Sequence, residues 1–277
     1  MTEMAMNQVQ TTPKAVNKAV TRKKPMIITG LLPICSLLVL ILAWEAIVRL
    51  FNVPVYILPR PSAIFHTAVV QHQYLFKHAV STSWAICLGF AWAFAVGIPL
   101  ATVMTFSEPL RRAIYPLLIV AQVLPKVALA PLFIVWFGFG MIPKVVMTFL
   151  IALFPIVIDT LAGLSTVRAE SLMLLRSMGA SRSQSFWKVR LPTALPHIFS
   201  GLKIAMTFAV VGAIVAEFVA SDSGLGYVLW DAYYVGRMDV VIADMASIGL
   251  LGFLSDRLII AIENWVLGWH RMQSFQA

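Results

Sequence analysis

The sequence predicts an all-α membrane protein of six transmembrane helices with both ends in the cytosol. Three observations carry this. The chain is 60% hydrophobic and only 12% charged over 277 residues, with a mean hydropathy of +0.87; soluble domains run about 45–50% apolar and about 25% charged. Its apolar residues form long continuous runs, not the short alternating segments of a membrane β-barrel. Its Lys and Arg gather in alternate connecting segments, as cytosolic loops do. One crossing takes roughly 20 helical residues, so the length allows roughly five to seven. The formal charge of +9 follows from loop orientation and needs no nucleic-acid partner.

The elements follow in order. Residues 1–25 are polar and basic, with Lys14, Lys18, Arg22, Lys23 and Lys24. They read as a cytosolic tail before a retained first helix, because no small-residue cleavage site follows the first apolar run. Residues 26–267 form the transmembrane domain, and 268–277 a second cytosolic tail. The first span covers about 26–51. Asn52–Ser62 carries three prolines and cannot continue a helix. Ser62 is placed to cap an interfacial helix through about Tyr74. The second span covers about 79–106 and ends in a loop with Glu108, Arg111 and Arg112. The third, from about Ala113, is broken by Pro116, Pro125 and Pro131. Broken backbone at membrane depth is tolerated only inside protein or beside a wet cavity. Phe137-Gly138-Phe139-Gly140 turns the chain back into a fourth span, about 143–163. A basic cytosolic loop, 164–200, leads to the fifth span, about 201–220. A loop with Asp222, Asp231, Arg237 and Asp239 leads to the sixth, about 241–267.

Catalytic patterns are absent from the sequence. No phosphate-cradling GxxxxGK[ST] loop, HExxH, CxxC or GxSxG occurs. The two cysteines, Cys35 and Cys87, lie in apolar runs, and the five histidines are scattered. The chain is therefore expected to be no enzyme and to bind no cofactor or metal. The positive signal is the loop 164–200. A short helix is predicted over 167–178, stopped by Gly179, a residue able to take a left-handed exit. Ser181 caps a second amphipathic helix, with Phe186, Trp187 and Val189 on its apolar face, which Pro192 and Pro196 end. Such an element either docks a cytosolic partner or packs on its own bundle. Connections between helices are mostly about 2–8 residues, and this one is far longer.

Gly179, nine intervening residues, then Val189-Arg190-Leu191-Pro192 resembles the "EAA" loop of permease subunits of bacterial ATP-binding-cassette importers. LPRPSAI after the first span, PKVALAPLFIVWFGFG around the third and FVASDSGLGYV after the fifth resemble the nitrate, sulfonate and taurine members. The resemblance implies a type I importer permease fold in the bacterial inner membrane. It implies two permease copies, two ATPase subunits carrying ATP and Mg, and an extracytoplasmic solute-binding protein. The ATPase contact would then fall on Glu170, Met173, Leu174, Leu175, Gly179, Ala180, Ser181, Leu191 and Pro192. One departure matters: the name-giving Glu-Ala-Ala is replaced here by Met173-Leu174-Leu175. An apolar contact through Met173 and Leu174 is expected in place of an ion pair. The implied cargo is a small polar solute, an anion of the sulfonate, taurine or nitrate class or a pyrimidine-like vitamin precursor. The alternative is a secondary transporter that works alone.

Charges inside spans are costly in lipid and face protein or water. Lys126, one turn from Gln122 in the broken span, is either a pathway cation or a lysine snorkelling to an interface. Glu217 either gates the pathway or bonds within its own bundle. Glu45 and Arg49, four apart, are expected to pair, and Asp256, Arg257 and Glu263 to pair inside the bundle. Gly201, Ala205, Ala209 and Gly212 form a small-residue stripe suited to a homodimer or intrabundle seam.

Overall fold

The computed structural model describes residues 26–268, and all regular structure among them is helical. In chain order the helices are α1 (Met26–Leu50), α2 (Pro61–Val70), α3 (His72–Phe106), α4 (Glu108–Val123), α5 (Ala130–Phe137), α6 (Met141–Ser165), α7 (Ala169–Ser177), α8 (Arg182–Ser185), α9 (Leu191–Ala220), α10 (Leu225–Tyr234) and α11 (Met238–Val266). Most of the tails, 1–25 and 269–277, lies outside the described residues. Four helices are long and apolar enough to cross a membrane: α3, α6, the stretch Arg182–Val219 and α11. The pair α4 and α5, bent by 86° at its break, is a fifth candidate. The protein is a multi-pass helical membrane protein.

Prolines and glycines set the breaks. Leu124 is extended and Pro125 opens a 3₁₀ turn, Lys126–Leu129, because the residue before proline is pushed out of the helical region. Pro116 stays inside α4, and Pro131 sits in the first turn of α5, where a missing N–H costs little. Gly138 (φ +74°) and Gly140 (φ +130°) then turn the chain into α6, as expected. Pro116 thus does not break the span, and the helix predicted through Tyr74 ends at Val70, with α3 starting at His72; two further expectations fail locally. Ser62 is not the cap of α2: Arg60 holds that position, with Pro61 next. Ser62 instead donates from its N–H (3.0 Å) and its hydroxyl (2.9 Å) to Glu45 of α1. Glu45 also accepts from Arg49 at 2.6 Å, so the expected pair forms and ties α1 to the start of α2.

The second failure concerns the loop 164–200. Pro192 and Pro196 do not end a helix. The chain is helical without a break from Arg182 to Val219, 38 residues, or about 57 Å at 1.5 Å per residue. Pro192 has no N–H and its ring crowds the carbonyl four residues back. A widened π turn over Phe186–Arg190 absorbs that conflict. The loop that leaves the bundle is therefore shorter than expected, and its second helix is the root of a span.

The core is formed by α3, α6 and α9, and glycines bring these helices close. Gly201 meets Asp159 and Pro155 of α6, Gly212 meets Met147, Thr148 and Ile151, and Gly163 of α6 meets Ala194 and His197 of α9. Ala205 and Ala209 are fully buried. The small-residue stripe is thus an intrabundle seam. A methyl at Gly89 of α3 would collide with the Thr148 side chain, whereas one at Gly249 of α11 meets nothing within 4 Å. We expect Gly89→Ala to cost about 1–3 kcal/mol and Gly249→Ala to leave stability unchanged. Unfolding midpoints in detergent would show this; equal midpoints would contradict the seam.

Candidate coupling and translocation sites

Three places gather polar or strategically exposed residues. The first is the turn between α7 and α8. Gly179 has φ +80°, and its N–H donates to the Arg176 carbonyl (2.9 Å) while the Ala180 N–H donates to that of Leu175 (3.0 Å). These are the paired bonds of a Schellman stop. One residue on, Ser181 accepts from the Gln184 N–H (3.1 Å), and Gln184 accepts from the Ser181 N–H (2.8 Å). This capping box starts α8. Stop, turn and start take three residues, so the element is rigid. Its outer side shows Met173, Leu174 and Met178, which are 64%, 62% and 75% exposed. Glu170 and Ser181 are exposed with them; Leu175, Ala180, Leu191 and Pro192 are half-buried at the base.

The second place is the broken span. The Lys126 ammonium donates to the Gln122 carbonyl at 3.0 Å and lies 4.7 Å from the Phe154 ring centroid of α6. The structure thus brings Gln122 and Lys126 together at the break, with the Gln122 side chain exposed and Lys126 half-buried. A cation over an aromatic face at a backbone break can receive a polar or anionic group.

The third place is an enclosed cluster around Glu217. The Thr82 hydroxyl of α3 donates to its carboxylate (2.8 Å), and the Gly226 N–H donates at 3.1 Å. The Lys144 ammonium of α6 lies 3.8 Å from it and donates to the Ser223 carbonyl (2.7 Å) and hydroxyl (3.0 Å). Thr82 also accepts from the Leu225 N–H (2.8 Å), and His78 Nδ1 accepts from the Gly224 N–H (2.9 Å). Gly224 has φ +106°, and any side chain there would collide with the Glu217 carboxylate. Loop 221–224 and the start of α10 are thus pinned to three helices. Glu217 is 1% exposed, so it lines no open surface in this conformation. We expect Thr82→Val to cost about 1–3 kcal/mol, because it leaves buried polar groups without a partner; a fall in the unfolding midpoint larger than that of Thr207→Val, at an exposed position of α9, is the readout.

The remaining span charges divide. Glu263 pairs with Lys203 of α9 at 3.0 Å, as expected. Arg257 stacks on Phe253 of its own helix. The sequence reading missed Lys144, Thr82, His78 and the whole of α10. The apolar spacing Leu225, Val228 and Ala232, all buried, was the available signal for α10.

A helical membrane bundle with a rigid knob, a broken span and a pinned loop fits a membrane transport component. The chain belongs to the family described as binding-protein-dependent transport system inner membrane component, whose pattern matches residues 93–267. It is 35% identical over 244 residues to the formylaminopyrimidine transport permease protein ThiX of Halalkalibacterium halodurans, covering 87% of this chain and 96% of that one. It is 29% identical to the taurine transport system permease protein TauC of Escherichia coli, over 86% of this chain and 90% of that one. Its fold matches a chain of the MetNI methionine ABC transporter in an inward-facing conformation, with a TM-score of 0.56 at 20% identity, covering 68% of this chain and 95% of that one.

Proposed function

We propose that this chain is the permease subunit of an ATP-driven importer in a bacterial inner membrane. Two copies form the pathway, two ATPase subunits supply the work, and an extracytoplasmic binding protein delivers the solute. ATP and Mg sit on the ATPase subunits, and the permease carries no catalytic group. In this reading the chain has six spans, α1 and the bent pair included, and both ends lie in the cytosol. The observation that carries this reading is the three-residue stop–turn–start at Gly179–Ser181, which fixes α7 as a projecting knob with an apolar tip. Glu170, Met173, Leu174 and Leu175 form its ATPase contact; Gly179, Ala180, Ser181, Leu191 and Pro192 hold its shape. Gln122 and Lys126 face the pathway, and Glu217 braces the outer loop.

The knob, α7, is joined by the rigid Gly179–Ser181 turn to the helical stretch that carries the brace. Ser181 caps the stretch whose far end carries Glu217, so displacement of α7 by a closing ATPase dimer reaches the outer loop through a continuous rod. Two packings of such a rod, biased by nucleotide bound elsewhere, give alternating access.

The cargo is a small polar solute: an anion of the sulfonate, taurine or nitrate class or a pyrimidine-like vitamin precursor. Both chemistries suit Lys126 and the Gln122 amide beside an aromatic ring, and the named relatives carry one of each kind. Reconstitution with the cognate ATPase and binding protein should give uptake that needs ATP. Full-rate uptake from the chain alone under an ion gradient would establish the secondary-transporter alternative. The solute that raises the binding protein's melting temperature names the cargo.

A further inference from the structure

A cleft of about 200 Å³ lies between the knob and the end of α3. Its walls are Thr105 and Phe106, the last turn of α3; Arg176 of α7; Arg182 and Ser185 of α8; and Arg190 of the π turn. Three arginines line it, Arg190 half-buried and Arg176 and Arg182 exposed. Among the described residues, none of the three has an ion-pair partner or a side-chain hydrogen bond. Like charges gathered without a carboxylate are costly unless an anion joins them. Guanidinium is the group whose planar fork matches a phosphate.

The place of the cleft says which phosphate. One wall is the last turn of α3, a helix long and apolar enough to cross a membrane, and the proposal sets the cleft at the headgroup level. Aromatic rings run beside it: Phe106 lies 5.3 Å from the buried Phe186, which lies 5.2 Å from Trp187, and Phe106 and Trp187 are exposed. Basic pockets beside interfacial aromatics suit anionic headgroups. At about 30 Å³ per water, the volume holds a phosphodiester and not a folded segment.

We propose that this cleft binds the headgroup phosphate of an anionic phospholipid and thereby ties α7 to the end of α3. The leaflet involved rests on the orientation proposed above; the binding does not. An anionic lipid would then tune how firmly the knob is held against the transmembrane bundle.

The test uses the full chain in nanodiscs of phosphatidylcholine doped with phosphatidylglycerol, with retained lipid counted by native mass spectrometry. We expect the wild type to retain phosphatidylglycerol over phosphatidylcholine by about tenfold or more. The double variant Arg176→Gln/Arg190→Gln is expected to lose the preference while keeping the wild-type unfolding midpoint in lipid-free detergent. Arg176→Lys/Arg190→Lys should retain part of it. Lys188→Gln, which removes a charge of the π turn outside the cleft, should leave it intact. An equal loss in Lys188→Gln would show diffuse attraction and overturn the site. Inorganic phosphate binding as tightly as the lipid would overturn the lipid assignment. Unchanged lipid preference in the double variant, with loss of ATPase co-purification, would make the cleft a protein socket. Failure of ATP-driven uptake would strike the importer reading and leave the lipid measurement untouched.

Discussion

Glu217→Ala is expected to be among the most damaging single substitutions in the chain. It removes the carboxylate that accepts from Thr82 and Gly226 and neutralises Lys144, which is 2% exposed. The ammonium would remain in the bundle with only Ser223 to hold it. Removing one member of a buried pair costs about 3–5 kcal/mol, a large share of a typical 5–15 kcal/mol stability. Glu217→Gln keeps the shape and part of the hydrogen bonding, so it should cost less. Pairing Glu217→Gln with Lys144→Met removes both charges and should recover stability relative to Lys144→Met alone, which leaves the carboxylate without its cation. Yield of monodisperse protein and the unfolding midpoint are the readouts. A Glu217→Ala protein with wild-type stability would mean that the cluster does not hold the loop.

Local chemistry was legible in the sequence where neighbours along the chain decide it. Gly179 and Ser181 announce a helix stop and a cap from their own conformational and hydrogen-bonding properties, and both form. The Leu124–Pro125 break and the Gly138–Gly140 turn are of the same kind. Pro192 misled because its rule concerns an α-helical turn, and the chain answers with a π turn and continues. The Glu217 cluster was illegible for a different reason. Thr82 and Glu217 are separated by 135 positions, and Ser223 and Lys144 by 79. Nothing local marks Thr82 as a ligand of a carboxylate. Lys144, placed just after a Gly-Phe-Gly turn, reads as an ordinary interfacial lysine. It is buried because Gly212 and Gly89 let α6 sit close to α9 and α3.

The same contrast separates the two ends of the Arg182–Val219 stretch. Its Ser181 end is defined by local bonds and exposes apolar groups; its Glu217 end is defined by distant partners and exposes none of its charge. An element anchored firmly at loop 221–224 and joined to a freely presented knob suits the lever proposed above, because work would enter where contacts are still unmade.

That asymmetry gives the second large effect. Met173→Asp and Leu174→Asp are expected to leave the folded bundle intact, because both side chains are more than 60% exposed and surface changes usually stay within about 0.5 kcal/mol. The proposed ATPase contact would bury the same positions. Covering a Met or Leu side chain stabilises by about 1.5–3 kcal/mol, and placing a carboxylate in an apolar contact adds a desolvation cost of its own. Either variant should therefore weaken ATPase association by about a hundredfold or more, with solute-stimulated ATP hydrolysis lost in parallel. Met173→Leu keeps the apolar volume and should retain both. Co-purification of tagged permease with the ATPase subunit, beside an unfolding midpoint for the permease alone, separates assembly from folding. Intact complexes and full coupled hydrolysis in Met173→Asp and Leu174→Asp would show that the Met-Leu-Leu tip is not the contact. An ion pair through Glu170, tested by Glu170→Gln on the same two readouts, would then have to carry it.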